Sequence, residues 1–492
     1  MKFFDDVRKM PLWVAMFPVV FLLIVVLGVV TTVGSWFVAD YSWVLLLGAS
    51  VAAVAVTRIF GGATFRGIRK GILRSAKQTL PAVPVLLLIG TVSATWMLSG
   101  VVPLLIEYGL DFITPRLFLL TTCCVCAGIS LLTGSSWTTI GTFGVAFMGI
   151  GSMLGYSPGW IAGAIISGAY FGDKMSPLSD TTVLASSSAS VELFTHIRYM
   201  LLTTIPSLLI ALIVFGMAGG FIELNAYQGD TEILHYIEST FNLNPLILVI
   251  PVLTLILISL RINTLITLAI STALGLGGVF VFQPHLLGQL LEGSYPPAVE
   301  GLMASLKMLF FRTSLSTGNP AADELVATGG MAGMMSTVGL VLSAMTFGGI
   351  LFGSGALERI TEAITQRLRR RVSAVTTTAA AGLFFNCATA DQYLSIIIGG
   401  NMFKRLYERL GLEGRLLSRT VEDSTSVTSV LIPWNSCGLT HSAVLGVGTL
   451  TYLPYCVFNY VSPLMSCLLA VAATRSYRGL RGVGGLIRRI TA

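Results

Sequence analysis

Apolar stretches of about 20 residues recur along this chain, and they restrict its possible folds more than any other feature. A bilayer core about 30 Å thick is crossed by a helix of about 20 residues. The uninterrupted stretches are 12–39, 43–60, 198–217, 245–260, 263–283 and 440–474. Polar, glycine-rich patches interrupt six others, at 81–113, 117–154, 159–190, 330–355, 372–400 and 421–438. The pattern predicts an all-α polytopic membrane protein with about 11 to 13 membrane-crossing or re-entrant elements.

Composition excludes several other classes of protein. Of the 492 residues, 54% are hydrophobic and only 11% are charged, whereas soluble proteins carry about 25% charged residues. The net charge of +7 is typical of basic cytoplasmic loops. No basic run is interleaved with aromatic residues, so we expect no nucleic-acid partner. We find no Walker motif, and therefore expect no use of ATP.

Loop charges predict how the helices are oriented in the membrane. The segment 58–77 carries six Lys or Arg residues and no acid, and its spacing predicts a cytoplasmic amphipathic helix on the membrane surface. The segment 404–419 and the tail from Arg475 to Arg489 are also basic. The segment 218–244 is acidic without Lys or Arg, which indicates the external side. A basic N-terminus before a long apolar run predicts a cytoplasmic start.

The interrupted spans recur in one order along the chain. The recurring pairs are Ser93-Ala94 and Gly100 with Ser343-Ala344 and Gly349, Thr133–Ser136 with Asn386–Thr389 at an offset of 253, and Asp180–Thr182 with Asp423–Thr425 at an offset of 243. This order predicts an internal duplication, and duplicated halves with broken helices are typical of secondary transporters. If the halves are inverted, our span count places the loop 358–371 outside, whereas its arginines indicate the cytoplasm. Its side stays open.

The predicted domains follow from these boundaries. They are N-terminal scaffold spans with the basic surface helix (1–79), transport repeat 1 (80–195), scaffold spans with a connecting segment (196–317), transport repeat 2 (318–438), and the last span with a basic tail (439–492).

The first candidate site lies at 133–139, where five hydroxyls occur within seven residues of an apolar span. A membrane helix is interrupted only where protein, water or a ligand satisfies the freed backbone groups. Opened carbonyls with the hydroxyls of Ser135, Ser136 and Thr138 suit Na+, and opened amides suit a carboxylate. The alternative is a Ser/Thr-rich contact between helices.

The second candidate site lies at 172–182, where charges fall inside an apolar stretch. Such charges are costly and usually functional. Asp173 and Lys174 can offset each other, and a proline then breaks the helix. Asp180 follows among hydroxyls that include Thr181 and Thr182, so we expect it to hold either Na+ or H+. The alternative is a short cytoplasmic loop in which Asp180 caps a helix.

The second half offers matching candidates. Asn386, Thr389 and Asp391 interrupt one span, and Asp423 with Thr425 begins a segment that runs to Asn435. Asp423 is either an ion ligand or a helix cap. The sequence therefore predicts a Na+ site held by Asp180, Asp423 and neighbouring hydroxyls. Neither a nucleophile–base pair nor a metal cluster is evident, so we expect no enzyme activity and no cofactor beyond Na+ and H+ as transported or coupling ions.

Four of these segments resemble the NhaC family of sodium/proton antiporters, within the ion transporter superfamily. They are Thr133–Thr139, Gly172–Thr182, Asp391–Ile396 and Leu431–Asn435, and the resemblance covers roughly residues 80 to 460. Where family members often continue the Asp-Thr-Thr motif with Asn-Leu-Ala-Pro, this chain has Val183-Leu184-Ala185-Ser186. This change adjoins the predicted site and therefore bears on which substrate the protein carries. Family relatives include exchangers of organic acids such as malate and lactate.

The resemblance implies a fold and a mechanism. The fold has inverted repeats with two re-entrant hairpins, whose tips we place near Ser93–Gly100 and Ser343–Gly349. Segments 64–78 and 302–316 become arms between a scaffold domain and a transport domain that moves as an elevator, commonly in a homodimer. The implied function is a Na+/H+ antiporter of a bacterial-type cytoplasmic membrane. The alternative is a Na+- or H+-coupled carrier of small organic acids or amino acids, with helix N-termini near Ser135 and Thr389 facing the anion.

Overall fold

The computed structural model describes residues 10–479 except 34, 222–229, 261, 292–295, 320–321, 324–325 and 367–369. The predictions for the cytoplasmic N-terminal nine residues, for Arg367 and Arg369, and for most of the basic tail lie outside the described residues. Within them, the one β feature is an isolated bridge between Thr313 and Thr328.

Helices form the rest of the regular structure. In the first half they are α1 Leu12–Thr32, α2 Ser35–Ile59, α3 Phe65–Thr79, α4 Ala82–Leu98, α5 Val101–Phe112, α6 Phe118–Thr133, α7 Ser136–Thr139, a π turn Ile140–Gly144, α8 Val145–Met153, α9 Pro158–Met175, α10 Asp180–Ser188 and α11 Leu193–Phe221. Then follow α12 Asp230–Thr240, α13 Val249–Ser259, α14 Thr264–Phe282, α15 Leu286–Leu290, α16 Pro297–Phe310, α17 Gly330–Gly353, α18 Ala356–Thr365, α19 Arg371–Thr389, α20 Gln392–Arg409, α21 Gly414–Val421, a π turn Glu422–Ser426, α22 Ser436–Leu445, α23 Thr449–Tyr452 and α24 Val457–Gly479.

Length and hydropathy confirm the prediction of an all-α polytopic membrane protein. Six of the described helices are long and apolar enough to cross a membrane, or up to eight spans if each bent helix pair counts as one. One bent pair joins α4 to α5 at 66°, and two shorter apolar helices lie at Trp43–Ile59 and Pro245–Ser259.

Two helical hairpins turn back inside the molecule. In the first, α6 ends at Gly134, whose φ of 66° is left-handed, and Ser135 then caps α7. The end of α8 returns to the start of α6, because a Cβ on Gly151 would lie 2.6 Å from the Phe118 ring. In the second, α19 ends at Ala390 with a φ of 54°, and Asp391 caps α20. We call the segments 133–135 and 389–391 tip 1 and tip 2.

Two helices are interrupted opposite these tips. The first break joins α9 to α10 through a turn at 177–178 whose flanking residues, Ser176 and Ser179, are extended. The second joins the 3-10 turn Ser429–Leu431 to α22 through Ile432–Asn435, whose ends are also extended. Each break contains a proline that cannot continue a helix, at Pro177 and at Pro433. We call the segments 176–179 and 432–435 break 1 and break 2.

The duplication therefore has an offset of 256, which relates both tips and both breaks. The predicted offsets of 253 and 243 were wrong because they matched residue types, whereas the repeat preserves backbone turns. Asp180 corresponds to Ser436, and Asp423 corresponds to Ser167.

The predicted hairpin tip at Ser343–Gly349 was also wrong, since α17 continues unbroken through it. The turns between α4 and α5 and between α17 and α18 lie at Gly100 and Gly355, both left-handed with φ of 89° and 80°. The re-entrant tips are instead tip 1 and tip 2.

The two hairpins open toward opposite ends of α11. Hairpin 1 begins beside the end of this helix, because a Cβ on Gly219 would lie 2.0 Å from the Arg116 carbonyl. Hairpin 2 ends beside its start, where Lys404 Nζ donates to Ser190 Oγ at 2.7 Å. Entry from opposite sides is what inverted repeats require. Arg409 Nη2 donates to the Thr365 carbonyl at 2.9 Å, so the end of α18 lies beside the end of α20, whose basic segment 404–419 is predicted to be cytoplasmic.

Candidate functional site

Tip 1 packs directly against break 1. A Cβ on Gly134 would lie 2.7 Å from the Leu178 Cβ and 3.0 Å from the Ser179 nitrogen, so the two backbones touch. Ser135 Oγ accepts from the Thr138 nitrogen at 3.2 Å and from Thr138 Oγ1 at 3.1 Å. The hydroxyls of Ser135 and Thr138, both predicted site residues, therefore lie at the capped start of α7. The next residue after the cap, Ser136, faces break 1.

Asp173 is the buried acid that joins tip 1 to break 1. Its Oδ2 accepts from Ser136 Oγ at 2.7 Å, and its Oδ1 accepts from Ser179 Oγ at 2.5 Å. It lies in the last turn of α9, because that helix continues to Met175. Among the described residues, no Lys or Arg forms an ion pair with this carboxylate.

Glu422 is a second buried acid, from the π turn of the other half. Thr181 Oγ1 donates to its Oε1 at 3.2 Å, and its Oε2 has no hydrogen-bond partner in the described part of the chain. Ser179 Oγ lies 2.9 Å from Thr181 Oγ1. Two hydroxyls thus connect Asp173 to Glu422 in one continuous chain of polar contacts across the two repeats. We call these four residues the carboxylate bridge.

Lys174 forms its ion pair with Asp423 and also interacts electrostatically with Glu422 of the carboxylate bridge. The lysine side chain is 1% exposed and the aspartate is fully buried. Arg419 lies in the same cluster, with its Nε 3.7 Å from Asp423 Oδ2, and its guanidinium stacks 4.7 Å from the Tyr199 ring. Asp423 also accepts from the hydroxyls of Thr203, Ser462 and Ser466. The predicted ion ligand Asp423 therefore already has cationic and hydroxyl partners.

Tip 2 is stabilised by a helix cap from its own residue Asp391. Asp391 Oδ1 accepts from the Leu394 nitrogen at 2.8 Å, and Thr389 Oγ1 donates to the Asp391 carbonyl at 2.9 Å. The Ser436 nitrogen at the start of α22 donates to the Ala390 carbonyl at 2.9 Å. Tip 2 thus packs on break 2 as tip 1 packs on break 1.

An amide cluster lies beside tip 2. Asn386 Nδ2 donates to the Thr425 carbonyl at 2.7 Å, and Asn435 Nδ2 donates to the Asn386 carbonyl at 3.1 Å. The buried oxygens Asn386 Oδ1 and Thr425 Oγ1 have no hydrogen-bond partner among the described residues. Neutral oxygens of this kind suit a monovalent cation such as Na+.

Asp180, predicted as the central ligand, is exposed at the start of α10. Ser179, and not Asp180, caps this helix by accepting from the Thr182 nitrogen. Thr182 Oγ1 donates to the Lys174 carbonyl at 3.0 Å, so it supports the end of α9. Asp180 interacts electrostatically with Asp173, which places it at the edge of the carboxylate bridge.

Sequence reasoning missed several members of these clusters. Glu422 had a visible signal, since it is an acid beside another acid in an apolar chain. Arg419 had a weaker one, at a spacing of four residues from Asp423. Thr203, Ser462 and Ser466 had none, because hydroxyls are common in membrane helices and only the tertiary fold brings them to Asp423.

Comparisons with known proteins place these features in context. The model of the Na+/H+ antiporter family matches residues 7–189 and 168–474. The Na(+)/H(+) antiporter NhaC of Alkalihalophilus pseudofirmus is 35% identical over 421 residues, covering 85% of this chain and 88% of that protein. The malate-2H(+)/Na(+)-lactate antiporter of Bacillus subtilis is 33% identical over 435 residues, covering 87% and 86%. The arginine/ornithine antiporter ArcD of Halobacterium salinarum is 33% identical over 442 residues, covering 89% and 88%.

Proposed function

Because this chain belongs to the Na+/H+ antiporter family, we propose that it exchanges Na+ for H+ across a bacterial-type cytoplasmic membrane, with the carboxylate bridge as the shared site for both ions. One observation carries the proposal. Two buried carboxylates from opposite repeats, Asp173 and Glu422, are linked by hydroxyls and have no ion-pair partner among the described residues.

The chemistry of exchange follows from burial. An ionised carboxylate away from water is costly unless a cation or a proton neutralises it. The hydroxyls of Ser136, Ser179 and Thr181 can orient their oxygens toward a Na+ or their protons toward a carboxylate. Na+ and H+ therefore compete for Asp173 and Glu422, and a site that carries one ion at a time exchanges them.

The other predicted residues take supporting positions in this proposal. Asp423 is neutralised by Lys174 and anchors α9 to the π turn. Asp180 lies at the exposed edge, where ions arrive or leave. Asn386 and Thr425 offer neutral oxygens from the second half. Ser135, Thr138 and Asp391 hold the tips in shape through their helix caps.

Alternating access is proposed to be of the elevator type. The tips and breaks of both repeats form one polar centre, so the segments 80–195 and 318–438 can move together as a transport domain against the remaining spans. A homodimer would give the scaffold a fixed partner, and both the domain division and the dimer remain predictions.

The experiment is Na+/H+ exchange in proteoliposomes, followed by 22Na+ uptake and an internal pH dye. We expect Asp173→Asn and Glu422→Gln to reduce exchange to background, because each removes one ionisable member of the carboxylate bridge. The matched controls are Asp111→Asn and Glu408→Gln, which change exposed acids outside the carboxylate bridge and should exchange normally. Asp180→Asn separates the two assignments: if it abolishes exchange while Asp173→Asn exchanges at the wild-type rate, Asp180 is the ion carrier and the carboxylate bridge is not.

A second candidate is coupled exchange of small organic acids or amino acids, as the names of two relatives suggest. Helix N-termini bind carboxylates, and a helix begins at each tip. Asp391 already places a carboxylate at the start of α20, so an anionic substrate is better received at α7, whose cap is the neutral Ser135. A counterflow screen with Na+, Li+, K+, malate, lactate and arginine distinguishes the candidates, since strict dependence on an organic substrate would favour the second.

A further inference from the structure

Helix α3 is held tightly against α17 by glycines on both helices. A Cβ on Gly67 would lie 2.8 Å from the Gly353 carbonyl oxygen, and a Cβ on Gly71 would lie 2.2 Å from the Gly349 carbonyl oxygen. Such backbone-to-backbone contact requires small residues at both positions. The contact covers one side of α3 and leaves the rest of its circumference for other partners.

The uncovered side of α3 is strongly basic. Arg66, Arg69, Lys70 and Lys77 are exposed, and the sequence has no acid between Asp40 and Glu107. Arg74 is also on α3, but its guanidinium lies 4.7 Å from the centre of the Phe352 ring, and it interacts electrostatically with Glu358. Four cations are thus available to an external partner.

Exposed apolar side chains run beside these cations. Phe65, Leu73 and Leu80 are 65%, 59% and 53% exposed. At 3.6 residues per turn, they fall within an arc of about 80° that also contains Arg69, and Arg66, Lys70 and Lys77 occupy the adjoining arc of about 40°. The long Arg69 side chain can extend from the apolar arc toward the phosphates. An apolar arc beside a basic arc is the pattern of a helix that lies in the membrane interface.

We propose that α3 binds the headgroups of anionic phospholipids, and that this binding supports transport. The apolar arc enters the acyl region while the basic arc meets the phosphates. Each Lys or Arg near an anionic bilayer surface favours binding by about fivefold. Four such residues without a neighbouring acid on α3 therefore distinguish an anionic from a zwitterionic lipid strongly.

Successive glycines connect α3 to the candidate site. On α17, a Cβ on Gly348 would lie 2.1 Å from the Thr389 carbonyl oxygen of tip 2, and a Cβ on Gly349 would lie 2.6 Å from the Ile72 Cα of α3. Tip 2 and α3 thus contact adjacent residues of one helix turn. A lipid that fixes α3 also fixes the helix behind tip 2, and this part of the proposal rests on the proposed function.

The test compares two variants of the full chain. The first changes Arg66, Arg69, Lys70 and Lys77 to Gln, and the matched control changes four other exposed arginines to Gln, namely Arg116, Arg198, Arg312 and Arg405. Delipidated protein is titrated with phosphatidylglycerol or phosphatidylcholine, and retained lipid is counted by native mass spectrometry. We expect the wild type and the control to prefer phosphatidylglycerol at least tenfold, and the α3 variant to lose this preference.

Exchange is then measured in vesicles of either lipid. We expect several-fold faster exchange in phosphatidylglycerol for the wild type and the control, and equal rates in the two lipids for the α3 variant. An unchanged lipid preference in that variant overturns the proposal, and a wild-type rate independent of lipid overturns its transport part. If the wild type exchanges no Na+ but the preference is lost as expected, the lipid site stands and the proposed function fails. If the four-residue variant does not fold, Lys70→Gln with Lys77→Gln should lower the preference by at least fivefold, and no change would again overturn the site.

Discussion

Lys174→Met is the most informative single change, because it removes one partner of a fully buried ion pair. Lys174 and Asp423 are 1% and 0% exposed, and the lysine Nζ also donates to Ser462 Oγ at 2.9 Å. Methionine has similar length and no charge. The change therefore leaves the packing nearly intact while the Asp423 carboxylate loses its closest cation.

The geometry of the pair sets the expected loss in the free energy of unfolding for Lys174→Met. Removing one partner of a buried ion pair destabilises a protein by about 3–5 kcal/mol, because the remaining charge is uncompensated. Thr203 still donates to Asp423 at 3.0 Å, and Arg419 lies 3.7 Å away, so we expect the lower end, about 3 kcal/mol. Adding Asp423→Asn removes the uncompensated charge and should restore stability to within about 1–2 kcal/mol of the wild type.

The assay is thermal unfolding of purified protein in detergent, read by tryptophan fluorescence, for the wild type, both single variants and the double variant. We expect each single variant to melt below the double variant. Additive losses, with the double variant the least stable of the four, would refute the view that this pair is held together by its charges.

The other predictions concern the tips and the carboxylate bridge. Gly134→Ala should cost about 1–2 kcal/mol from its left-handed φ, and more from the Cβ that would lie 2.7 Å from Leu178, whereas Ala390→Gly at the equivalent turn should leave the melting temperature unchanged or raised. Thr181→Val keeps the shape of the side chain but removes the hydroxyl between the two carboxylates, so Na+/H+ exchange should fall while the melting temperature stays near that of the wild type. Ser187→Ala, at an exposed hydroxyl of the same helix, should alter neither, and an equal effect of both changes would contradict the role of Thr181.

The positions of the interruptions could be read from the sequence because their causes are local. A run of hydroxyls marks the break at 133–139, and a proline among charged and hydroxyl residues marks the break at 172–182, whereas Pro18, Pro206 and Pro463 lie inside continuous helices. The register of the duplication could not be read in the same way. Gly134 corresponds to Ala390, and Ser179 to Asn435, so the repeat conserves a left-handed turn and a cap while the residue types change.

The choice between Asp173 and Asp180 depends on helical phase. The two acids are seven residues apart in one motif, and a small difference in where α9 ends decides which of them faces inward. Since α9 continues to Met175, Asp173 falls in its buried last turn and Asp180 begins the next helix at an exposed position. The hydroxyls that surround Asp423 come from distant helices, and only tertiary packing determines that contact.

The duplicated backbone carries charges that are not duplicated. At the offset of 256, Asp173 and Lys174 correspond to Ser429 and Val430, so the second half has neither charge at those positions. Asp391 adds a carboxylate at tip 2, but there it caps α20, where the helix N-terminus offsets its charge. The repeat thus supplies two matching backbones, and in the site that we propose unlike side chains from the two backbones meet.

In the exchange that we propose, the charges of the carboxylate bridge and of the Asp423 cluster beside it give a reason for the coupling of two ions. Asp173, Glu422 and Asp423 contribute three negative charges, and Lys174 and Arg419 contribute two positive ones, which leaves one negative charge. A net charge within the bilayer is costly, so in the elevator mechanism that we propose the cluster would cross most readily when one Na+ or one H+ makes it neutral. The cluster would then be neutral with either ion bound, and crossing with neither ion bound would carry an energetic cost. Under this condition the movement of one ion drives the movement of the other.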